Sequence, residues 1–363
     1  MTDELAPSEL TPNMSLSVLR VAAALLRPAP HEAAPSTANR SLARRRARFA
    51  VALIPAAFVL VLLGAWVAAE SVTPEITDTE YYVRLRMIRA AAAEHPDHPL
   101  GLTLGSSRTV WAFRPEVLPD IPEPGGVYWV NAAHVGAGPA HTRLILHRLL
   151  RDGVRPAVVV IEAMPTFFVK ENNRFVSGHF AAADMPLVRD YADKPFGYDY
   201  HFLRHRVTRA TDIARVADPF AGYVPPLPRG GHPHCEDGIS PAERARRTAF
   251  AHRVNVEHLQ HMTVRPSADR AFRDTIREAT DHGIRVVLLR SPEGPLFRSW
   301  YSPEAQARFD EYIARVSREH GVPVLDARLW LDEEDFYDSH HALKPGAEKF
   351  TLRFTKEMSA LLK

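Results

Sequence analysis

The stretch that decides the fold is HPLGLTLGSSR, residues 98–108. Leu100–Gly105 is a short apolar run without alternation, the pattern of a strand covered on both faces. Four further runs share this character: Val127–Ala132, Ala157–Glu162, Arg285–Leu289 and Pro323–Asp326. Helical patterns lie between and after them, at Pro139–Asp152, Ser267–Asp281, Pro303–His320 and Pro345–Leu362. The stops Asp152-Gly153, His282-Gly283 and His320-Gly321 each precede a strand, as expected where a helix ends on a glycine. The alternation predicts an α/β fold, a doubly wound parallel five-stranded sheet with helices on both faces. Ligands then belong at the carboxyl ends of the strands.

Two segments break this rhythm. Residues 165–240 carry no clear strand, many aromatics and Pro-rich turns (GYVPPLPRGGHPHCEDG), which predicts an inserted cap with short helices rather than a structureless loop. Ahead of the sheet, Phe49–Ala69 (FAVALIPAAFVLVLLGAWVAA) runs 21 residues without a charge. As a helix it would be about 30 Å long, the thickness of a bilayer's hydrocarbon core. A buried core helix rarely lacks a polar face over such a length. A secretory signal has a shorter apolar stretch nearer the start, although Val67–Ala69 resembles a cleavage site and leaves that alternative open.

The chain of 363 residues has 45 Lys+Arg against 43 Asp+Glu, a net +2 that gives no general pull on nucleic acid. The charge is uneven. Residues 1–48 hold seven Arg and four acids, so they carry +3 and leave −1 for the rest. Arg44, Arg45, Arg46 and Arg48 abut the apolar run, while an acidic flank follows it. The positive-inside rule therefore predicts a cytoplasmic N-terminus and an extracytoplasmic remainder in the cell membrane. The expected organisation is a largely disordered tail at 1–48, in which Met14–Leu26 has the pattern of a short amphipathic helix. A transmembrane helix at 49–69, a juxtamembrane linker or helix at 70–97, and a domain at 98–363 complete it.

Cys235 is the lone cysteine, which excludes a disulfide framework, a four-cysteine zinc site and a CxxC redox pair. His232, His234 and Cys235 form the best metal-like cluster, but no second ligand pair matches it, so no metal is expected. The chemistry lies elsewhere. Gly105-Ser106-Ser107-Arg108 follows the first strand, and Asp338-Ser339-His340-His341 precedes the last helix. A serine at a strand-to-helix turn is a weak nucleophile until a histidine takes its proton and a carboxylate fixes that histidine's tautomer. Asp338 and His341, three residues apart, offer both from one turn.

These blocks, in this order, resemble those of the SGNH/GDSL hydrolase superfamily over about residues 98–360. The resemblance implies a flavodoxin-like sheet, Ser107 as nucleophile, His341 as base and Asp338 as its orienting carboxylate, with Gly346 at the family's spacing after the histidine. Asn131 and Gly136 match the second block, which implies that the N–H groups of Ser107 and Gly136 form an oxyanion hole. The third block departs: Glu162-Ala163-Met164-Pro165 stands where the family has Gly-x-Asn-Asp, so Met164 replaces an amide donor whose loss typically costs about 10²–10³ in rate. The combination is similar to the membrane-anchored branch that includes DltD-like and alginate-acetylation proteins. It implies a serine esterase or O-acyltransferase acting on an acylated or acyl-accepting polysaccharide, without cofactor, beside the bilayer and a membrane-bound O-acyltransferase. A catalytically weak glycan-binding or scaffold subunit is the alternative. Arg108, Asn131 and Glu162 are the candidate substrate contacts; Arg108 reads equally as a solvated residue at a helix start, and Glu162 as an extra acid or a structural hydrogen-bond acceptor. Trp111, Phe113, Phe167, Phe168 and Trp300 have the composition of either a sugar-stacking platform or a packed core.

Overall fold

The computed structural model describes residues 37–76, 78–120, 122–123, 125–169, 180–193, 195–208 and 237–362. The chain divides into two units, Met1–Val59 and Leu60–Lys363. Helix α1, Thr37–Val72, runs through the boundary, and its stretch Arg44–Val72 is long and apolar enough to cross a membrane. Phe49, Ile54, Phe58, Leu60 and Val61 are all exposed along it. The helix starts earlier than the apolar run. Residues 37–48 are helical; Leu42–Arg48 is built of Ala, Leu and Arg, strong helix formers with no breaker among them. Met14–Leu26 lies outside the described residues.

In the second unit, α2 (Thr79–Glu94) starts where the Asp78 carboxylate accepts the Tyr81 N–H at 3.1 Å. There follow β1 (Leu100–Leu104), α3 (Ser107–Ala112), β2 (Tyr128–Asn131), α4 (Pro139–Arg151) and β3 (Val158–Glu162). The next segment holds α5 (Pro165–Val169), α6 (Met185–Arg189) and α7 (Pro195–Thr208). The chain ends with α8 (Pro241–Gln260), α9 (Pro266–Asp281), β4 (Arg285–Arg290), α10 (Pro295–Arg298), α11 (Pro303–His320), β5 (Val324–Asp326) and α12 (Lys344–Leu361).

The five strands form one parallel sheet in the order β2-β1-β3-β4-β5. Alternate strand residues feed two cores. Leu102, Leu104, Val159, Ile161, Val286 and Leu288 pack under α2, α4, α9 and α11. Val158, Val160, Val287 and Leu289 pack with Phe350, Phe354 and Met358 of α12. That double coverage is why the strands read as unbroken apolar runs. Gly153, Gly283 and Gly321 take φ of +86°, +72° and +64°, the left-handed turns that end α4, α9 and α11. The strand order reverses its direction of growth between β1 and β3, so the crevice above their carboxyl ends is the switch point where such sheets take ligands.

Within 165–240 the described residues contain α5, α6 and α7 and no strand; His232, His234 and Cys235 fall outside them. Buried Arg148 of α4 reaches Asp78 at 2.7 Å and Asp184 at 2.5 Å, joining the α2 cap to this segment. Helix α8 was not expected from the sequence. Only Ala251, Asn255 and Leu259 of its twenty residues are buried, too thin a stripe to leave a periodic signal.

Candidate functional site

The site grows from the turn after β1. A Cβ on Gly105 would lie 2.5 Å from Thr109 Oγ1 and 2.6 Å from Glu162 Oε2, so only glycine lets the two strand ends approach this closely. Ser106 then caps α3, its Oγ accepting the Arg108 N–H at 3.2 Å. Glu162, at the end of β3, gathers the Ser106 N–H at 2.6 Å, the Ser106 hydroxyl at 2.8 Å and the Thr109 hydroxyl at 3.0 Å on one oxygen. Ser107 becomes the first residue of α3, where its N–H has no acceptor within the helix.

Ser107 Oγ lies 2.7 Å from His341 Nε2, and His341 Nδ1 lies 2.7 Å from Asp338 Oδ2. The other Asp338 oxygen accepts the His341 N–H at 2.8 Å and the His340 N–H at 3.2 Å. With an ionised carboxylate on Nδ1, the hydrogen-bond pattern assigns the proton to Nδ1 and the lone pair to Nε2, facing the serine hydroxyl. Burial raises the Asp338 carboxyl, but the adjacent His341 and His340 imidazoles and the hydrogen bonds from His341 outweigh it and hold the carboxyl well below the usual range. A serine, a neutral imidazole and a carboxylate so arranged can deliver an alkoxide-like oxygen to an acyl carbon. Asp338, His340 and His341 also each offer a ligand atom within 4.8 Å of the others, but the Asp338–His341 contact has hydrogen-bond length and uses one of those atoms on each side.

The Asp338 turn has a feature the sequence did not signal. Ser339 has φ +70°, the single non-glycine positive φ among the described residues. Its Oγ donates to Glu333 Oε2 at 3.0 Å and accepts the Phe297 N–H at 2.9 Å, while its carbonyl accepts the Gly294 N–H at 2.7 Å. A Cβ on Gly294 would come within 2.5 Å of Ser339 Oγ. The strap 294–297 thus clamps the turn that presents Asp338 and His341. The His341 ring is bracketed by Tyr337, stacked at 5.3 Å, by His340 at 4.0 Å and by the edge of Trp111 at 5.2 Å.

His340 stacks on Phe297 at 4.9 Å. Burial, helped by repulsion from His341 and Arg108 and opposed by Asp338, pushes its pKa down to about 3. The native state therefore holds His340 neutral, while an unfolded histidine takes up a proton below about pH 6.5. Stability contributed at neutral pH is then lost as pH falls from about 6.5 toward about 3, by about 2 kcal/mol between pH 7 and pH 5 from this group alone. Urea midpoints should show that decline in the wild type and a flatter profile in His340→Gln; parallel profiles would contradict it.

The candidate substrate contacts turn inward. Arg108 is 2% exposed, and its guanidinium donates to the carbonyls of Ser291 and Pro292, both at 2.9 Å, and to Glu293 at 3.3 Å. It follows Ser107 by about 100° of helix rotation, which aims it at the interior and not at a ligand. Asn131 is fully buried: its amide donates to the Thr109 and Phe113 carbonyls, and its oxygen accepts from Thr103 and Ala133. Glu162 commits Oε2 to the serine turn, and its Oε1 lies 3.9 Å from Arg108 Nε. All three make contacts within the frame of the site. Gly136, at φ +73°, lies in the loop whose His134 N–H donates to the Gly105 carbonyl at 2.9 Å, beside the serine turn.

Met164 is buried with Ala251, Leu259, Phe297 and Trp300. Phe113 and Phe168 belong to the two sheet cores, Phe167 and Trp300 to the Met164 cluster, and of the five only Trp111 stands beside His341. The five aromatics form no common platform.

A family model for an uncharacterised family matches residues 251–363, less than half of the chain, a range that contains Asp338 and His341 but not Ser107. No curated protein matches the sequence. One solved structure, described as "a putative acylhydrolase" from Bacteroides fragilis, superposes with a TM-score of 0.37 at 12% identity, covering 77% of this chain and 96% of its own. At that similarity it assigns no role to any residue here.

Proposed function

We propose that this chain is a single-pass membrane protein whose sheet domain is a serine esterase or O-acyltransferase of the SGNH/GDSL type, acting outside the cytoplasm on an ester of a surface polysaccharide. The observation that carries the chemistry is the unbroken line Ser107 Oγ–His341 Nε2–His341 Nδ1–Asp338 Oδ2, with 2.7 Å at both hydrogen bonds. The line stands at the switch point of the sheet, where the serine's own N–H is left over at a helix start.

In this reading Ser107 Oγ attacks the ester carbonyl carbon while His341 Nε2 takes the serine proton. The carbonyl π pair moves to oxygen, and the N–H groups of Ser107 and Gly136 hold that oxyanion. Collapse expels the alkoxide, which leaves as an alcohol with the proton from His341, and the acyl group stays on Ser107. Water or a sugar hydroxyl then gives its proton to His341 and attacks the acyl-serine; on collapse Ser107 Oγ leaves, taking that proton back from His341, and the free acid or the new ester is released. Asp338 keeps the ring oriented and stabilises the imidazolium at each stage. No cofactor enters these steps. The extracytoplasmic placement rests on the Arg44–Arg48 cluster before the apolar run.

A second reading, a glycan-binding or scaffold subunit beside a membrane-bound O-acyltransferase, is favoured by Met164, an apolar side chain where an amide donor would be expected. A membrane-impermeant fluorophosphonate applied to intact cells separates the possibilities. Labelling of wild type and its loss in Ser107→Ala is the expected result. An adduct only after lysis would reverse the topology, and no adduct in either preparation would leave the scaffold reading.

A further inference from the structure

Helix α7 carries an apolar stripe on its outer face. Tyr200, Leu203 and Val207 are 51%, 45% and 42% exposed, at the i, i+3, i+7 spacing of one helix face, with Arg204 exposed among them. Its inner face is fixed. Phe202 stacks on Phe180 at 5.3 Å, and buried Arg206 donates to the Phe180 carbonyl at 2.7 Å.

The same inner face holds the end of the apolar helix. Trp66 Nε1 donates to the Arg206 carbonyl at 2.9 Å, Arg206 pairs with Glu70, and its guanidinium lies over the Phe202 ring at 4.2 Å and the Trp66 ring at 5.6 Å. Trp66 and Glu70 are buried in this contact, while Leu60 and Val61, about one and a half turns earlier, are 69% exposed. Where α1 leaves its lipid-suited surface, α7 is therefore already attached to it.

From this continuity we propose that α7 is an interfacial helix. Its Tyr200–Leu203–Val207 face lies in the headgroup and upper acyl region of the bilayer that α1 crosses, so the insertion holds the domain against the membrane. The chemistry fits a lipid surface. A phenol and two aliphatic side chains present a narrow apolar face, an arginine stem and head stand beside them, and Trp66 occupies the same level. The proposal rests on the membrane-spanning reading of α1 and is independent of the hydrolase chemistry.

The test uses the full chain with Cys235 replaced by Ser, reconstituted alone into phosphatidylcholine–phosphatidylglycerol vesicles with brominated acyl chains. A bimane label is placed in turn at Val61→Cys, Leu203→Cys and Leu352→Cys, the last on α12 and 58% exposed on the opposite layer of the sheet. The expected result is a several-fold loss of fluorescence at 61 and 203, with 352 unquenched by bromine and open to aqueous iodide. Quenching at 61 but not at 203 overturns the proposal while the span stands. No quenching at 61 overturns the span itself. Iodide access at 203 in these vesicles, with shielding only in native membranes, also overturns it and assigns the stripe to a protein partner.

Discussion

Asp338→Asn is expected to cut the rate of Ser107 acylation by about 10⁴ at neutral pH while leaving the fold intact. The Asp338 carboxylate can only accept, so it requires a proton on His341 Nδ1, 2.7 Å away. An asparagine at that place can turn its NH₂ toward Nδ1, which then becomes an acceptor and moves the ring proton to Nε2. That proton points at Ser107 Oγ, 2.7 Å away, and the ring has no lone pair left for the serine hydroxyl. The backbone bonds to Oδ1, from the His341 and His340 N–H groups, survive in the amide, so the turn keeps its shape. Fluorophosphonate labelling rates read the effect directly, with thermal unfolding as the control. His341→Ala should fall by a similar factor, and the double variant should be little worse than either, because the groups act as one unit. An Asp338→Asn rate within tenfold of wild type, with unchanged unfolding, would remove Asp338 from the mechanism.

The sheet was legible because its strands are buried on both sides. Val158–Ile161 and Val286–Leu289 each send neighbours to opposite cores, so no polar position interrupts them. Their ends were legible because three helices stop on glycines that adopt positive φ. Ser107, His341 and Asp338 were found as candidates because their spacing is local within two short blocks, and the structure brings the blocks together.

What escaped depends on contacts between segments distant in sequence. Nothing in Ser339 announces a left-handed backbone, since serine there is held by Glu333, Phe297 and Gly294 and not by its own preference. Arg108, read by its adjacency to Ser107, suits a ligand contact and a solvated helix start equally, and neither reading names its partners. Its true partners, Ser291 to Glu293, lie more than 180 residues away. Helix α8 was hidden for the opposite reason. Its surface is mostly polar and solvated, and it buries only Ala251, Asn255 and Leu259.

Arg108→Met is expected to destabilise the domain by about 3–5 kcal/mol, the usual consequence of removing one partner of a buried ion pair. The Glu293 carboxylate, 2% exposed, would lose the guanidinium 3.3 Å away and keep only the Tyr301 hydroxyl at 2.8 Å. The carbonyls of Ser291 and Pro292 would lose their shared donor as well. Methionine replaces the stem's volume, so the loss reports polar contacts more than a cavity. For a unit of this size the fall corresponds to about 5–8 °C in Tm. Arg108→Met/Glu293→Gln should recover part of it, because the stranded charge is gone. The consequence reaches the site. Arg108 ties α3 to residues 291–293, and the strap continues through Gly294 and Phe297 to the clamped Ser339. One buried arginine thus fixes the helix that carries Ser107 relative to the turn that carries Asp338 and His341. Labelling at a temperature where Arg108→Met is still folded should therefore be slower than wild type, whereas Arg148→Met, equally buried but between α2, α4 and the insertion, should lose stability with labelling unchanged. A Tm loss in Arg108→Met without a labelling defect would confine Arg108 to stability.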